Sequence, residues 1–312
     1  MVEPRRWTYG IQLPVQMLSR AIADPWEAEA SVADLVTIVR RAEATGHDFV
    51  GVCDHVAIPD DAYAAHMGST WYDPVATLGF LAAQTTTIRL LSSVWVAAYR
   101  HPLQTASAFA TLDHLSGGRV ILGVGAGHVA GEFAALGVPF AHRGRILDET
   151  LAALRGVWSD ERASFSGDRY RYERVAVGPR PVHGSLPIWV GGMTPATWRR
   201  VGRFGDGLIP MGNPLAQYPE IVATVREAAV AAGRTDAPIA IGGGVGALHL
   251  TGGSVDGLHD VPLRDAESAA DAIRAALAVG IDVLHLRFRA RTLDEYLEQF
   301  DAFAETVVPL VD

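Results

Sequence analysis

Eight short runs rich in valine, isoleucine and leucine, each followed by a helical pattern, constrain this chain more than any other feature. They are "WTYGIQLP" (7–14), "DFVGVCD" (48–54), "IRLLSSVWV" (88–96), "GRVILGVG" (118–125), "PIWVGG" (187–192), "GDGLIPMG" (205–212), "PIAIGGGV" (238–245) and "DVLHLRF" (282–288). Strands alternating with helices demand crossover connections, and so a parallel sheet with helices outside it. "SVADLVTIVRRAEATG" places Val32, Leu35, Val36, Val39 and Ala42 on one face and stops at Gly46. "HPLQTASAFATLDHLSGG" stops the same way at Gly117, and "TLDEYLEQFDAFAETVV" carries Leu293, Tyr296, Leu297, Phe300 and Phe303 at helical spacing. Eight such units in 312 residues predict a (β/α)8 TIM barrel, one domain over 1–312. The excess segment before the fifth strand, about 159–186, contains "SGD" and the alternating "RYRYERVAV", and is expected to be a β-hairpin insertion. Residues 250–262, "LTGGSVDGLHDVP", are expected to form a mobile loop.

Composition narrows the chemistry. All 26 basic residues are arginine, so Schiff-base chemistry and a P-loop lysine are excluded. A net charge of −9 without basic clusters argues against nucleic acid as a partner. Charges interrupt every long apolar run, and "MVEPRRWTYGIQLP" lacks the apolar stretch of a signal peptide. No membrane association and a cytoplasmic location are expected. The single cysteine, Cys53, sits in a strand-like run and is expected to be a buried, inert thiol.

The stretch "GRVILGVGAGHVAGEF" (118–133) spaces Gly123, Gly125 and Gly127 by two and invites comparison with a dinucleotide-binding turn. That turn needs a helix at once, whereas here two more glycines and a proline precede the persistent pattern "GRILDETLAALRGVW". The glycines instead mark the end of the fourth barrel strand, where backbone amides can approach a ligand. In "GGMTPATW", Thr194 suits an N-cap and Pro195 the first helical position. Exposed amides at such a start make an anion site, although a capped helix with no ligand fits the same pattern. "CDHV" places Asp54 and His55 at the end of the second strand, where His55 is either an acid/base group or a satisfied structural histidine.

These segments resemble the bacterial luciferase-like oxidoreductases, which are flavin- or deazaflavin-dependent (β/α)8 enzymes. The resemblance covers nearly the whole chain and is most specific over "IRLLSSVWVAAYRHPLQTASAFATLDHLSGGRVILGVGAGHVAGEFAALGVPFAHRG". "GIQLP", "CDHV" and "PIWVGGMTPATWRRVGRFGDGLIP" also match. Within the family the chain looks most like the branch using coenzyme F420. The resemblance implies a phosphate site on Gly125, Ala126 and Gly127 together with Gly191, Gly192, Met193 and Thr194. It also implies a non-prolyl cis peptide at Ser93–Val94 behind the cofactor ring. Asp54 would contact the ring or its hydroxyls, and His55 would carry the proton that accompanies hydride transfer.

Gln12, Trp71, Tyr72, Trp95 and Met211 fall at strand ends or in the long loop after strand 2, and are expected to wall a mostly apolar substrate cavity. His128 stands where some sugar-phosphate-oxidising relatives carry a glutamate. With no lysine to clamp a phosphate, only Arg287 or Arg289 at the end of strand 8 could do so. Together these argue against a sugar-phosphate dehydrogenase. No metal site is expected, because the histidines lack ligand spacing. The resemblance therefore implies an F420-dependent oxidoreductase acting on a small molecule, as a homodimer whose face is formed by the helices after strands 2 and 3. The alternatives are an FMN-dependent monooxygenase, a metal-dependent barrel hydrolase using Asp54 and His55, and a non-catalytic flavin-binding protein.

Overall fold

The computed structural model describes residues 6–19, 22–258 and 260–312. Eight parallel strands form its centre. In chain order they are β1 (Thr8–Gln12), β2 (Phe49–Val52), β3 (Arg89–Ser92), β4 (Val120–Gly125), β5 (Ile188–Gly191), β6 (Gly207–Ile209), β7 (Ala240–Gly243) and β8 (Val283–Phe288). Each pairs with its successor, and β8 pairs with β1 in the register Thr8↔Val283 to Ile11↔Leu286, which closes the barrel. Every strand is shorter than its hydrophobic run, and in all but β4 and β8 residues at the C-terminal end leave the strand for the loops at the barrel mouth.

Alternation along the strands sorts the side chains. Phe49, Leu91, Ile121, Trp189, Ile209 and Val283, one from each of six strands, pack together as the inner core. The opposite faces meet the helices α1 (Val32–Ala44), α2 (Pro74–Ala82), α3 (Pro102–Ser116), α4 (Arg143–Ser159), α5 (Pro195–Phe204), α6 (Tyr218–Ala231), α7 (Ala266–Ala278) and α8 (Leu293–Ala302). Leu35, Ile38, Val39 and Ala42 form the buried stripe of α1, whereas Val32 at its first turn is exposed, contrary to expectation. Gly117 ends α3 in the left-handed conformation, at φ 72°.

The insertion is an antiparallel hairpin of Ala163–Ser166 and Arg171–Val175. Its turn is tied to α4 by Glu149, which accepts from the amides of Asp168 and Arg169 at 3.1 Å. Residues 250–262 are mostly irregular, and residue 259 lies outside the described residues. No helix among the described residues is long and apolar enough to cross a membrane.

Two groups at the foot of the barrel set an acid limit. His47 is buried between Tyr9 and Phe300, at 4.9 and 4.7 Å between ring centres, and burial pushes it down to about 3. Glu43 is pushed up by burial, but the amides of Thr87, Ile88 and Thr86 overcome this and hold it at about 2. Below its usual value of 6.5 the unfolded chain protonates His47 while the folded chain does not, so stability falls with pH down to about 3. Glu43 adds to the loss between 4.5 and about 2. Urea midpoints are therefore expected to be flat between about pH 7 and 8 and to fall steadily below about pH 6.5.

Candidate active site

A cleft of about 200 Å3 opens at the C-terminal mouth, between the ends of β1 and β8. Gln12, Ser93, Met211 and Arg287, all expected to contact cofactor or substrate, line it together with Met17 and His285. Gln12 Nε2 contacts Cys53 Sγ and lies 3.2 Å from Met17 Sδ. The Cys53 thiol is buried, which pushes it up to about 12, so it is an unreactive neighbour.

His285 was not among the sequence candidates. Its ring packs on Phe49 at 4.8 Å, its Nε2 is buried with no partner, and burial pushes it down to about 3. It is therefore a neutral imidazole at neutral pH, with one ring nitrogen unpaired. The alternation in "DVLHLRF", which puts 283, 285 and 287 on one side, carried the signal, but strand 8 drew attention for its arginines.

Of the expected wall residues, Trp71, Tyr72 and Trp95 are not among those that line the cleft. Trp95 is buried in the outer layer, where its indole packs edge-on against Phe109 at 5.1 Å and donates to Thr105 Oγ1 at 3.2 Å. It is core, because after the turn at Ser93–Val94 its side chain faces α3 rather than the mouth. Arg289 lines the cleft but is committed to Asp24, at 2.8 Å.

The bond between Ser93 and Val94 is cis. Beyond it, Trp95–Val96 pairs with Val124 and Gly125, while Val124 also faces Val190 of β5. The loops after β4 and β5 are thus neighbours at the same end of the barrel. A Cβ on Gly125 would lie 2.5 Å from Val94 Cγ2, and one on Gly191 2.7 Å from Val94 Cγ1. These two glycines are bare because Val94 occupies the space between them. Gly127 adopts φ 82°, and a Cβ there would strike Phe133 and Val96 at 2.7–2.8 Å. Met193 is exposed, and Thr194 starts α5 without a side-chain cap. Its hydroxyl lies 3.4 Å from Thr197 Oγ1 instead, so the expected cap is not made and the first amides of α5 remain open to an anion.

Gly125→Ala is expected to cost about 1–3 kcal/mol by overpacking, and Val94→Ala in the same chain to recover much of it. Unfolding midpoints of the two single variants and the double would show this, and additive losses would refute it.

Asp54 is buried and firmly held. Its Oδ2 accepts from the Val96 amide at 2.8 Å and pairs with Arg100, whose guanidinium lies 3.7 Å over the Trp95 ring, while Oδ1 is buried without a partner. Burial raises its pKa against the opposing pull of Arg100. His55 Nδ1 lies 2.9 Å from Glu132 Oε2, its ring is 4.3 Å from Trp71 and 5.6 Å from His128. Trp71 bridges to Met17, which places this group behind the cleft wall. Glu132, on the short helix Ala130–Ala135, also accepts from Tyr99 Oη at 2.6 Å, the Ala57 amide at 3.0 Å and the Val56 amide. Burial pushes Glu132 up, yet these four partners, His55 and Tyr99 foremost, hold it down at about 2. Glu132, Tyr99 and Arg100 escaped the sequence reading, since no local pattern ties them to His55. Among the described residues no three His, Cys, Asp or Glu side chains converge as a metal site would need.

The closed barrel carries its cleft and the loops after β4 and β5 at the strand C-termini, which defines an α/β barrel with a candidate active site at the mouth. The chain belongs to the luciferase-like monooxygenase family, whose model matches residues 14–252. An uncharacterized protein of Mycobacterium tuberculosis is 34% identical over 183 residues, 58% of this chain, which spans 63% of that relative's length. The F420-dependent glucose-6-phosphate dehydrogenase of Kineococcus radiotolerans is 33% identical over 232 residues, 72% of this chain and 66% of its own. Among solved structures, the monooxygenase RslO1 of Streptomyces bottropensis shares the fold at TM-score 0.78 and 23% identity, over 97% of this chain and 99% of its own. The coenzyme F420-dependent tetrahydromethanopterin reductase of Methanopyrus kandleri does so at 0.77 and 19%, over 98% and 99%.

Proposed function

We propose that the chain is an F420-dependent oxidoreductase that moves a hydride to or from a small organic substrate at the mouth of the barrel. The adjacency of the β4 and β5 loops, both packed against Val94 of the cis turn, carries this reading. The residues fit the coenzyme. The backbone of Gly125–Gly127 and the uncapped start of α5 at Thr194 would take its phosphate. Ser93–Val94 would support the ring, and the unpartnered Oδ1 of Asp54 would meet one of its polar groups. When bound, F420 supplies a two-electron hydride carrier at C5. The protein orients the substrate between Gln12, Met211 and His285, excludes water, and holds the accompanying proton on His55.

The named substrate of the dehydrogenase relatives, glucose 6-phosphate, fits poorly here. The chain has no lysine, Arg289 is bound to Asp24, and Arg287 donates to the Ile22 carbonyl at 2.8 Å. Glucose 6-phosphate is therefore expected to give no turnover with F420. The homodimer is part of the same proposal, supported by Phe80 on α2 and Leu115 on α3, which are exposed.

Parallel anaerobic titrations with F420 and FMN test the reading. Micromolar-range quenching by F420, with FMN at least about tenfold weaker, is expected. Tight FMN binding with oxygen uptake by the reduced complex would replace it with the monooxygenase reading.

A further inference from the structure

We propose that Glu132 is a positioning residue that fixes His55 in one tautomer, with the proton on Nδ1 and the lone pair on Nε2, so that Nε2 is the nitrogen left free to act as a base. The catalytic consequence rests on the function proposed above, but the tautomer rests on geometry alone.

A carboxylate has two oxygens and only accepts when ionised. Glu132 Oε1 takes the amides of Val56 and Ala57, which can only donate. Glu132 Oε2 takes Tyr99 Oη at 2.6 Å and faces His55 Nδ1 at 2.9 Å. Glu132 is fully buried, so an unmet contact there could not be made good by water. With the carboxyl held at about 2 and the Tyr99 phenol pushed far above its usual range, neither group can hand a proton to Nδ1 or take one from it near neutrality. Nδ1 must therefore carry its own proton and donate. In the neutral ring Nε2 is then the acceptor. When a substrate hydroxyl gives up its proton, Nε2 binds it, and the imidazolium formed lies against the Glu132 carboxylate. In the reverse direction Nε2 returns that proton to the product oxygen.

The other groups around His55 do not compete for Nδ1. Asp54, its chain neighbour, is engaged with Arg100 and the Val96 amide. Trp71 and His128 meet the ring through ring contacts, and Tyr63 lies beyond His128 at 6.3 Å.

Glu132→Gln inverts this arrangement. Its single carbonyl oxygen must stay with the two backbone amides, so its NH2 group turns to Nδ1, which must then accept. The proton moves to Nε2, and the base is lost. Tyr99→Phe removes one hydrogen bond and leaves the tautomer unchanged. Two-dimensional 15N–1H spectra of histidine-labelled, cofactor-free protein read the tautomer directly, with His55 assigned by its loss in His55→Asn. The expected result is Nδ1–H in the native protein and in Tyr99→Phe, and Nε2–H in Glu132→Gln. Nε2–H in the native protein, which needs no variant to fold, would overturn the proposal, as would an unchanged tautomer in Glu132→Gln.

With F420 as hydride partner, kcat of Glu132→Gln is expected to fall about 10²–10⁴-fold, with F420 affinity unchanged within about threefold and a lower melting temperature, since the bonds to a buried carboxylate are lost. The alkaline-rising limb of the kcat–pH profile should vanish in Glu132→Gln and persist in Tyr99→Phe. A native-like kcat with the tautomer inverted would overturn the catalytic role. Failure of F420 to bind the native protein would refute the function proposed above and leave the tautomer result standing.

Discussion

Replacing His55 with asparagine is expected to lower kcat about 10²–10⁴-fold while F420 still binds, the range that a positioned general acid or base contributes. Asparagine keeps a donor near Glu132 Oε2 but has no titratable nitrogen, so the loss would report proton transfer rather than collapse of the loop. The environment supports the assignment. The imidazole is clamped on one side by a buried carboxylate at 2.9 Å and packs at a tilt against Trp71 at 4.3 Å, so it has little rotational freedom. Its loop is also pinned, since the following two amides bond the same carboxylate. Steady-state rates across pH, with F420 affinity measured separately, check the prediction. A kcat within about threefold of native would show that His55 is structural and that the proton travels by another group. His285 would then be the next candidate, as an imidazole that lines the cleft with its Nε2 unpaired.

The second large effect is on stability. Arg289→Met is expected to cost about 3–5 kcal/mol, because it leaves the Asp24 carboxylate buried with its partner gone. Both residues are 4% exposed, and Arg289 donates to Asp24 Oδ1 at 2.8 Å and to the Ile22 carbonyl at 2.7 Å. The Ala290 amide donates to Asp24 Oδ2 at 3.1 Å, so the pair fastens the connection after β1 to the end of β8. That seam borders the cleft, and loosening it should also raise the KM of any substrate held there. The double variant Asp24→Leu, Arg289→Met is expected to be more stable than the sum of the single losses, since Asp24 is no longer left buried without its partner. Urea unfolding of the three variants measures this. A loss under about 0.5 kcal/mol for Arg289→Met would mean that water reaches the pair and that Arg289 is free to meet an anionic substrate.

This pair corrects the view of strand 8 taken from its sequence. "DVLHLRFRA" shows two arginines at a strand end, and such a pattern cannot say which one is spent inside the fold. Asp24 lies 265 residues away along the chain, and only barrel closure brings it to Arg289. The same holds for His55 and Glu132, 77 residues apart. Trp95 erred in the other direction. Its place in a strand-end segment suggested the cavity, but the turn at Ser93–Val94 changes which way the following residues face.

What the amino-acid order determined by itself was periodic or local. The eight β-branched runs, the glycine stops of α1 and α3, the Thr-Pro start of α5 and the two glycine loops all follow from backbone preferences over a few residues, and they sufficed for the (β/α)8 barrel. The reason Gly125 and Gly191 are bare was hidden, since it lies in Val94 on a different strand. Partnership, burial and tautomer were decided only by the closed structure. Those properties depend on which donors and acceptors meet once water is gone, and that depends on side chains the chain brings together from far apart.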